Sequence, residues 1–273
     1  MGSLSELPDA LPPSVAAAVW RADQLGTAPC ATLPSGFVEL DAVLPGGGWP
    51  CRGMTEVLCP QAGVLEWRLL GPALRERLAG RDDRIVLVAP PWVPHAPGIR
   101  STGIDERRLV WIDAQSASER LWVLEQLLRA RQVAAVLAWL PDARAAQLRR
   151  LQVLSSQTGA GARPVFVFRG MGAAGESSPA PLRVRAWPGA GWGLQVELIK
   201  RAGTPLGRVL SLSAAPSGLD QAVPPGRPVR STEPRMPGAS PDIPRQPESW
   251  EVHDVVGGAS AIRSELRRRT LSH

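Results

Sequence analysis

The feature that most limits the fold of this chain is a series of five short apolar runs, separated by segments with helical spacing. Continuous apolar runs are typical of strands whose two faces are both buried, as in parallel sheets. Their alternation with helical patterns indicates right-handed βαβ units, and hence an α/β domain with a mainly parallel sheet flanked by helices. The predicted strands are residues 54–58, 85–89, 109–113, 133–140 and 165–168.

The intervening segments carry leucines at the intervals of one helix face. Ser116 followed by Glu119 forms a capping-box pattern at the start of the second helix. Asp142, directly after Pro141, is expected to cap the third helix. The predicted helices are residues 65–78, 116–131 and 142–157.

Two later segments, residues 182–187 and 192–201, differ in character because apolar and polar residues alternate along them. A Pro-Gly-Ala-Gly turn at residues 188–191 joins them. This pattern predicts an antiparallel hairpin at the C-terminal end of the sheet.

A change of composition marks the end of the predicted domain. Nine prolines lie between residues 213 and 250, among few apolar side chains. Such a segment buries too little apolar surface to offset its ordering entropy, and is expected to be disordered. Residues 14–25 have helical spacing with Ser14 as a cap. We therefore expect an N-terminal helical segment (1–32), a core domain (33–212) and a Pro-rich linker with an Arg-rich C-terminal tail (213–273).

The composition argues against several classes of protein. No run approaches the ~20 apolar residues of a membrane span, and the start lacks the basic and apolar regions of a secretory signal. Three cysteines (Cys30, Cys51 and Cys59) and three histidines show no metal-ligand spacing. We expect a reduced, cytoplasmic protein without a metal or a membrane anchor. His95, in a Pro-rich loop without a neighbouring nucleophile, is expected to face solvent.

The formal net charge is +6, and Lys200 is the only lysine. An arginine surplus is one footprint of nucleic-acid binding, because arginine grips phosphate bidentately and stacks on bases. The same surplus arises when a GC-rich genome encodes arginine in place of lysine. The arginines are scattered along the chain, which favours the second explanation and leaves DNA association open.

The turn after the first predicted strand lies where a phosphate-binding loop would lie. Such a loop needs glycines for close backbone approach, a lysine for the β/γ-phosphates and a serine or threonine for Mg²⁺. This turn lacks the Gly-Lys-Ser/Thr pattern, and Glu66 follows it with a charge that repels phosphate. We interpret it as a vestigial phosphate loop of five residues: Cys59, Pro60, Gln61, Ala62 and Gly63.

Residues 33–201 resemble the RecA-type ATPase core, and more closely the ImuA family of RecA-like accessory proteins in bacterial translesion synthesis. SulA-type division inhibitors are related to this family. The resemblance implies a RecA-like sheet with the hairpin described above. It rests on Ser35-Gly36, Leu40-Asp41, Gly46-Gly47-Gly48, Pro50, and Glu56 ahead of Cys59-Pro60.

Two further catalytic elements of RecA-type enzymes are missing. The strand at residues 133–140 ends in Trp139 and Leu140 where an ATPase has a Mg²⁺-holding aspartate. The strand at residues 85–89 is followed by Pro90-Pro91-Trp92, where the resemblance implies a water-activating glutamate. We therefore expect no catalytic residue, no cofactor and no ATP hydrolysis.

The resemblance implies a scaffold role in a damage-induced mutasome. The implied partners are an ImuB-like Y-family polymerase homologue and an error-prone replicative-type polymerase, with a sliding clamp or recombinase as further candidates. Association with the nucleoid would follow. Two alternatives remain open: a SulA-type inhibitor that binds FtsZ, and a weak ATPase with an atypical phosphate loop.

Ten tryptophans and no tyrosine make an uneven aromatic set. Exposed tryptophans beside arginines can stack single-stranded DNA bases or anchor a protein interface. Others are expected to fill the core, among them Trp111, Trp122 and Trp139. The candidate partner or DNA contacts are Trp92, Trp187, Trp192, Trp250, Arg267, Arg268 and Arg269.

Overall fold

The structure is a computed structural model that describes residues 31–130, 132–157, 162–202 and 207–215. The predicted N-terminal helix (14–25) and most of the predicted Pro-rich tail lie outside the described residues, and both stay predictions.

Ten strands and five α-helices occur within these ranges. The helices are α1 (Val38–Asp41), α2 (Glu66–Leu78), α3 (Ala96–Ser101), α4 (Ala117–Arg129) and α5 (Ala145–Ser156). The strands are β1 (Thr32–Leu33), β2 (Trp49–Pro50), β3 (Met54–Cys59), β4 (Arg84–Val88), β5 (Leu109–Ile112), β6 (Val133–Trp139), β7 (Val165–Gly170), β8 (Leu182–Pro188), β9 (Gly193–Lys200) and β10 (Val209–Ser213).

Eight strands form one sheet in the order β10-β9-β8-β3-β7-β6-β4-β5. The six strands from β8 to β5 are parallel to their neighbours, and β9 is antiparallel to both β8 and β10. β1 and β2 pair separately as a short antiparallel ribbon. The α/β fold class predicted from the sequence, with a mainly parallel sheet and an antiparallel hairpin, is confirmed.

The central strands are buried on both faces, as their continuous apolar runs predict. β3 and β6 have no exposed residue along their length. One face packs against leucines of α2, and the other against leucines of α4 and α5. Each fully buried leucine contributes about 1.5–3 kcal/mol, so this two-sided core stabilises the sheet edge described below.

Some local predictions differ from the structure. Asp142 does not cap a helix: α5 begins later, with Arg144 as its N-cap, whose backbone N–H donates to the Gln147 side chain at 2.8 Å. His95 is exposed, as predicted, but it starts the short helix α3 by accepting from the Gly98 N–H at 3.2 Å. β10 was not predicted, because its short run is stabilised by pairing with β9.

Among the described residues, no helix combines the length and the hydropathy that crossing a bilayer requires.

Candidate functional site

The carboxyl ends of five parallel strands surround an open cleft of about 650 Å³. Ligands of open α/β sheets bind at this edge, outside the ends of the strands. Each strand contributes through the residue or loop that follows it. The walls include Pro60 after β3, Pro90 after β4, Asp113 after β5, Pro141 after β6 and Gly170 at the end of β7.

The side chain of Glu66, the first residue of α2, folds back and accepts hydrogen bonds from the turn that contains the vestigial phosphate loop. One carboxylate oxygen, Oε1, accepts from the Gly63 N–H at 2.6 Å and from the Trp139 indole N–H at 3.0 Å. The other oxygen, Oε2, accepts from the Leu65 N–H at 3.0 Å. Glu66 is only 1% exposed, so its carboxylate depends on these donors.

The N–H groups at the start of a helix normally form the anion site of a phosphate loop. Here a carboxylate of the chain itself accepts from two N–H groups of the turn that leads into α2, those of Gly63 and Leu65. The sequence predicted that Glu66 would repel phosphate by its charge. The structure adds that the side chain also occupies two donors of this turn.

Trp139 lies at the end of β6, where an ATPase strand would end in an aspartate. Its ring stacks on Phe168, with centroids 4.9 Å apart and an interplanar angle of 22°. The prediction that Trp139 fills the core is confirmed. Its indole N–H supplies the third donor to Glu66. Trp139, which ends this strand, therefore donates to the Glu66 carboxylate and has no oxygen atom to offer to a metal ion.

The outer side of the loop is covered by the segment after β4. A Cβ added at Gly63 would lie 2.5 Å from Cδ1 of Trp92 and 3.2 Å from Cγ of Pro91, which shows how closely these rings contact the turn. Gly63 has φ +86°, in the left-handed region that favours glycine. Ala89 also has a positive φ, +49°, directly before Pro90. This uncommon backbone turns the proline segment into the cleft wall.

The charged side chains at the far wall are bonded locally. Asp113 accepts from the Gln115 side-chain amide at 2.6 Å. Arg120 donates to the backbone carbonyls of Ala114 at 3.0 Å and Gln115 at 3.5 Å. The described lining of the cleft contains no lysine.

A second buried carboxylate, Glu56, lies within β3. It accepts from Nη1 of Arg169 on β7 at 2.9 Å and from Nε of Arg183 on β8 at 2.6 Å. Burial opposes the charge of Arg169, but hydrogen bonds to Glu176 and Glu56 outweigh it and raise the pKa of the guanidinium above its ordinary value. This cluster joins three neighbouring strands and is structural.

The cleft offers neither a reactive thiol nor a metal site. Burial, and secondarily the charge of Glu66, raises the pKa of Cys59 to about 12, so this thiol stays protonated and unreactive at neutral pH. Burial also raises the pKa of Cys51. The part of the chain that the structure describes holds no group of three or more histidine, cysteine or acidic side chains placed to bind a metal ion.

The structure places the predicted contact residues on two different surfaces. Trp92 lies in the cleft wall and is 68% exposed. Trp192 is 47% exposed at the hairpin turn, with the Arg68 guanidinium 5.6 Å from its ring centroid, and Trp187 is half-buried on the same hairpin. Four candidates lie outside the described residues: Trp250, Arg267, Arg268 and Arg269.

Two tryptophans expected in the core are exposed instead. Trp111 is 42% exposed because β5 is the edge strand of the sheet, and its ring lines the cleft. Trp122 is 50% exposed because it lies beside the leucine stripe of α4 and outside it. Trp111 is thus a cleft residue that the sequence did not reveal, since its apolar neighbours gave no sign of an edge position.

No protein-family profile matches the chain. The chain is 33% identical over 140 residues to "Protein ImuA" of Caulobacter vibrioides strain NA1000 / CB15N, and the same match is found for "Protein ImuA" of strain ATCC 19089 / CIP 103742 / CB 15. The aligned part is 48% of this chain and 55% of the relative, so the chain spans about half the length of the curated relatives it matches. The ImuA-like character inferred from the sequence is confirmed over that part.

Proposed function

We propose that this chain is a non-catalytic accessory protein of bacterial translesion DNA synthesis, in which an ATPase-like domain serves as a binding scaffold. The similarity to ImuA supports the process. One observation supports the non-catalytic role: the Glu66 carboxylate accepts from the Gly63 amide of the vestigial phosphate loop, from the Leu65 amide directly before α2 and from the Trp139 indole.

The magnitudes favour a closed loop over a nucleotide site. A triphosphate that used the loop would first have to displace Glu66 from its three donors. The phosphate would then only remake hydrogen bonds that Glu66 already accepts, so the exchange gains little free energy. Micromolar affinity needs about 8 kcal/mol in total. With no lysine in the loop to add to the binding energy, tight binding of Mg·ATP is unfavourable.

The proposed partners are those implied by the family: an ImuB-like Y-family polymerase homologue, an error-prone replicative-type polymerase, and a sliding clamp or recombinase, in the cytoplasm. Exposed tryptophans are favoured anchors of protein interfaces. Trp92 and Trp111 at the cleft and Trp192 at the hairpin supply three of them.

Affinity purification of the full chain from DNA-damaged cells tests this function. The proposal expects polymerase-type proteins of translesion synthesis among the retained partners, at stoichiometric levels. Retention of the division protein FtsZ without any polymerase would instead establish the SulA-type alternative. Purification from undamaged cells that also express the chain separates damage-dependent partners from constitutive ones.

A further inference from the structure

We propose that the cleft at the carboxyl edge of the sheet binds a proline-rich segment of a protein partner, in the polyproline II conformation and with a basic side chain next to the prolines. The inference rests on the proposed scaffold function and adds the site and the chemical class of the segment that it takes.

The first argument is the surface of the cleft. Trp92 and Trp111 are large exposed side chains of the cleft lining, and Pro60, Pro90 and Pro141 add rigid apolar surface to the same lining. Proline-rich segments dock in aromatic-lined grooves of this kind, because their rings pack against flat aromatic faces. The backbone of a proline-rich wall is already restricted, so little conformational entropy is lost when a ligand binds.

The second argument is the set of hydrogen-bonding groups in the cleft that remain free to bond a ligand. The amides of Gly63 and Leu65, behind the cleft wall, donate to Glu66. The indole N–H groups of Trp92 and Trp111 have no acceptor among the described residues. Proline residues carry a carbonyl acceptor and no N–H donor. A cleft with free donors therefore complements a proline-rich backbone.

The third argument is charge. The Asp113 carboxylate is exposed, and only its Oδ1 atom accepts a hydrogen bond, from Gln115, in the part of the chain that the structure describes. Arg120 points two of its donors at backbone carbonyls. The carboxylate disfavours phosphate groups and favours a lysine or arginine of the incoming segment.

The volume sets the length of the segment. A cleft of about 650 Å³ lies within the range of small-ligand sites and holds only a few residues. The expected occupant is therefore a short linear motif, and the remaining interface with the partner lies elsewhere.

Isothermal titration calorimetry of the full chain with three synthetic probes tests the proposal. The probes are decaproline, decaproline flanked by arginines and decaproline flanked by glutamates. We expect saturable binding that is strongest for the arginine-flanked probe and weakest for the glutamate-flanked one. Because an exposed ion pair is weak, the arginines should increase the affinity about two- to five-fold over decaproline.

Three variants locate the binding. Trp92→Ala and Trp111→Ala should each lower the affinity for the arginine-flanked probe about ten-fold or more, because each removes a tryptophan anchor. Asp113→Asn should remove the preference for the arginine-flanked probe over the glutamate-flanked one. Trp122→Ala is the matched control, because this tryptophan is similarly exposed but lies on α4 outside the cleft. The affinity of this variant for the probe should equal that of the unmodified chain. Circular dichroism verifies that each variant is folded.

The proposal is overturned if no probe binds, or if Trp122→Ala weakens binding as much as Trp92→Ala does. It is also overturned if Mg·ATP or an oligothymidylate binds the unmodified chain and loses affinity in Trp92→Ala, or if Trp92→Ala abolishes self-association of the chain. Recovery of polymerase partners together with absent probe binding removes this site and leaves the proposed function standing.

Discussion

The structure buries two carboxylates on neighbouring elements, Glu56 on β3 and Glu66 at the start of α2. They are stabilised by different kinds of partner. Glu56 is paired with two guanidinium groups from the adjacent strands. Glu66 is held by two backbone amides and one indole, none of which carries a full charge. The first carboxylate lies within the sheet, and the second lies buried behind the turn that leads into α2.

The two carboxylates differ in what a ligand could replace. An ion pair between strands replaces nothing that a ligand could supply. The Gly63 and Leu65 amides, in contrast, could also donate to an anion, and Glu66 satisfies them within the chain.

The largest effect is expected at Glu56. Its replacement by alanine leaves Arg169 and Arg183 buried without their shared partner, and should lower the free energy of unfolding by about 3–5 kcal/mol. Urea denaturation measures this change. The matched control is Glu197→Ala, which breaks a partly exposed pair with Arg185 and should cost about 1 kcal/mol or less. Equal losses in the two variants would show that the buried cluster is not a special support of the sheet.

The next effect is expected at Glu66. Glu66→Ala leaves the Gly63 and Leu65 amides and the Trp139 indole without their acceptor, and should lower the free energy of unfolding by about 2–3 kcal/mol. It should also open an anion site, so that inorganic phosphate raises the melting temperature of this variant and not that of the unmodified chain.

Glu119→Ala is the control for Glu66→Ala. Glu119 also lies in the first turn of a helix and accepts from a backbone amide, that of Gln115, but it is exposed. Its loss should produce no response to phosphate. If phosphate stabilises both variants equally, the effect is general salt stabilisation and Glu66 is no stand-in for an anion.

A smaller effect is expected at Trp139. Trp139→Phe keeps an aromatic ring against Phe168 but removes the indole donor to Glu66, and should lower the free energy of unfolding by about 1–2 kcal/mol. In the Glu66→Ala background the same substitution should cost less, because the donor has already lost its acceptor. A double-mutant cycle measures this coupling, and additive losses would contradict the bond as described.

The smallest effect is a dependence on alkaline pH. Burial, and secondarily Glu66, raises the pKa of Cys59 from 9.0 to about 12. The folded state keeps the proton that the unfolded state releases, so the free energy of unfolding falls as pH rises from about 9 towards 12. Between about pH 8 and 10 the loss should be about 1 kcal/mol in the unmodified chain, and Cys59→Ala should remove this part. An unchanged pH dependence in Cys59→Ala would place the titration elsewhere.

The sequence predicted the sheet well, because the buried strands are continuous apolar runs whose observed ends lie within about two residues of the expected ones. It did not predict β10, whose formation depends on pairing with β9. It misplaced Trp111, because an edge strand and a central strand have the same local pattern. For Glu66 the sequence predicted only a charge that repels phosphate. Its hydrogen bond to Trp139 could not be predicted, because the two residues are far apart along the chain.

The most direct test of the closed loop is calorimetric titration of the full chain with Mg·ATP. We expect no saturable binding at concentrations up to the millimolar range, and no ATP turnover. Micromolar, Mg²⁺-dependent affinity that is lost on substitution of Gly63 would contradict it, because a triphosphate would then be using the amides assigned here to Glu66.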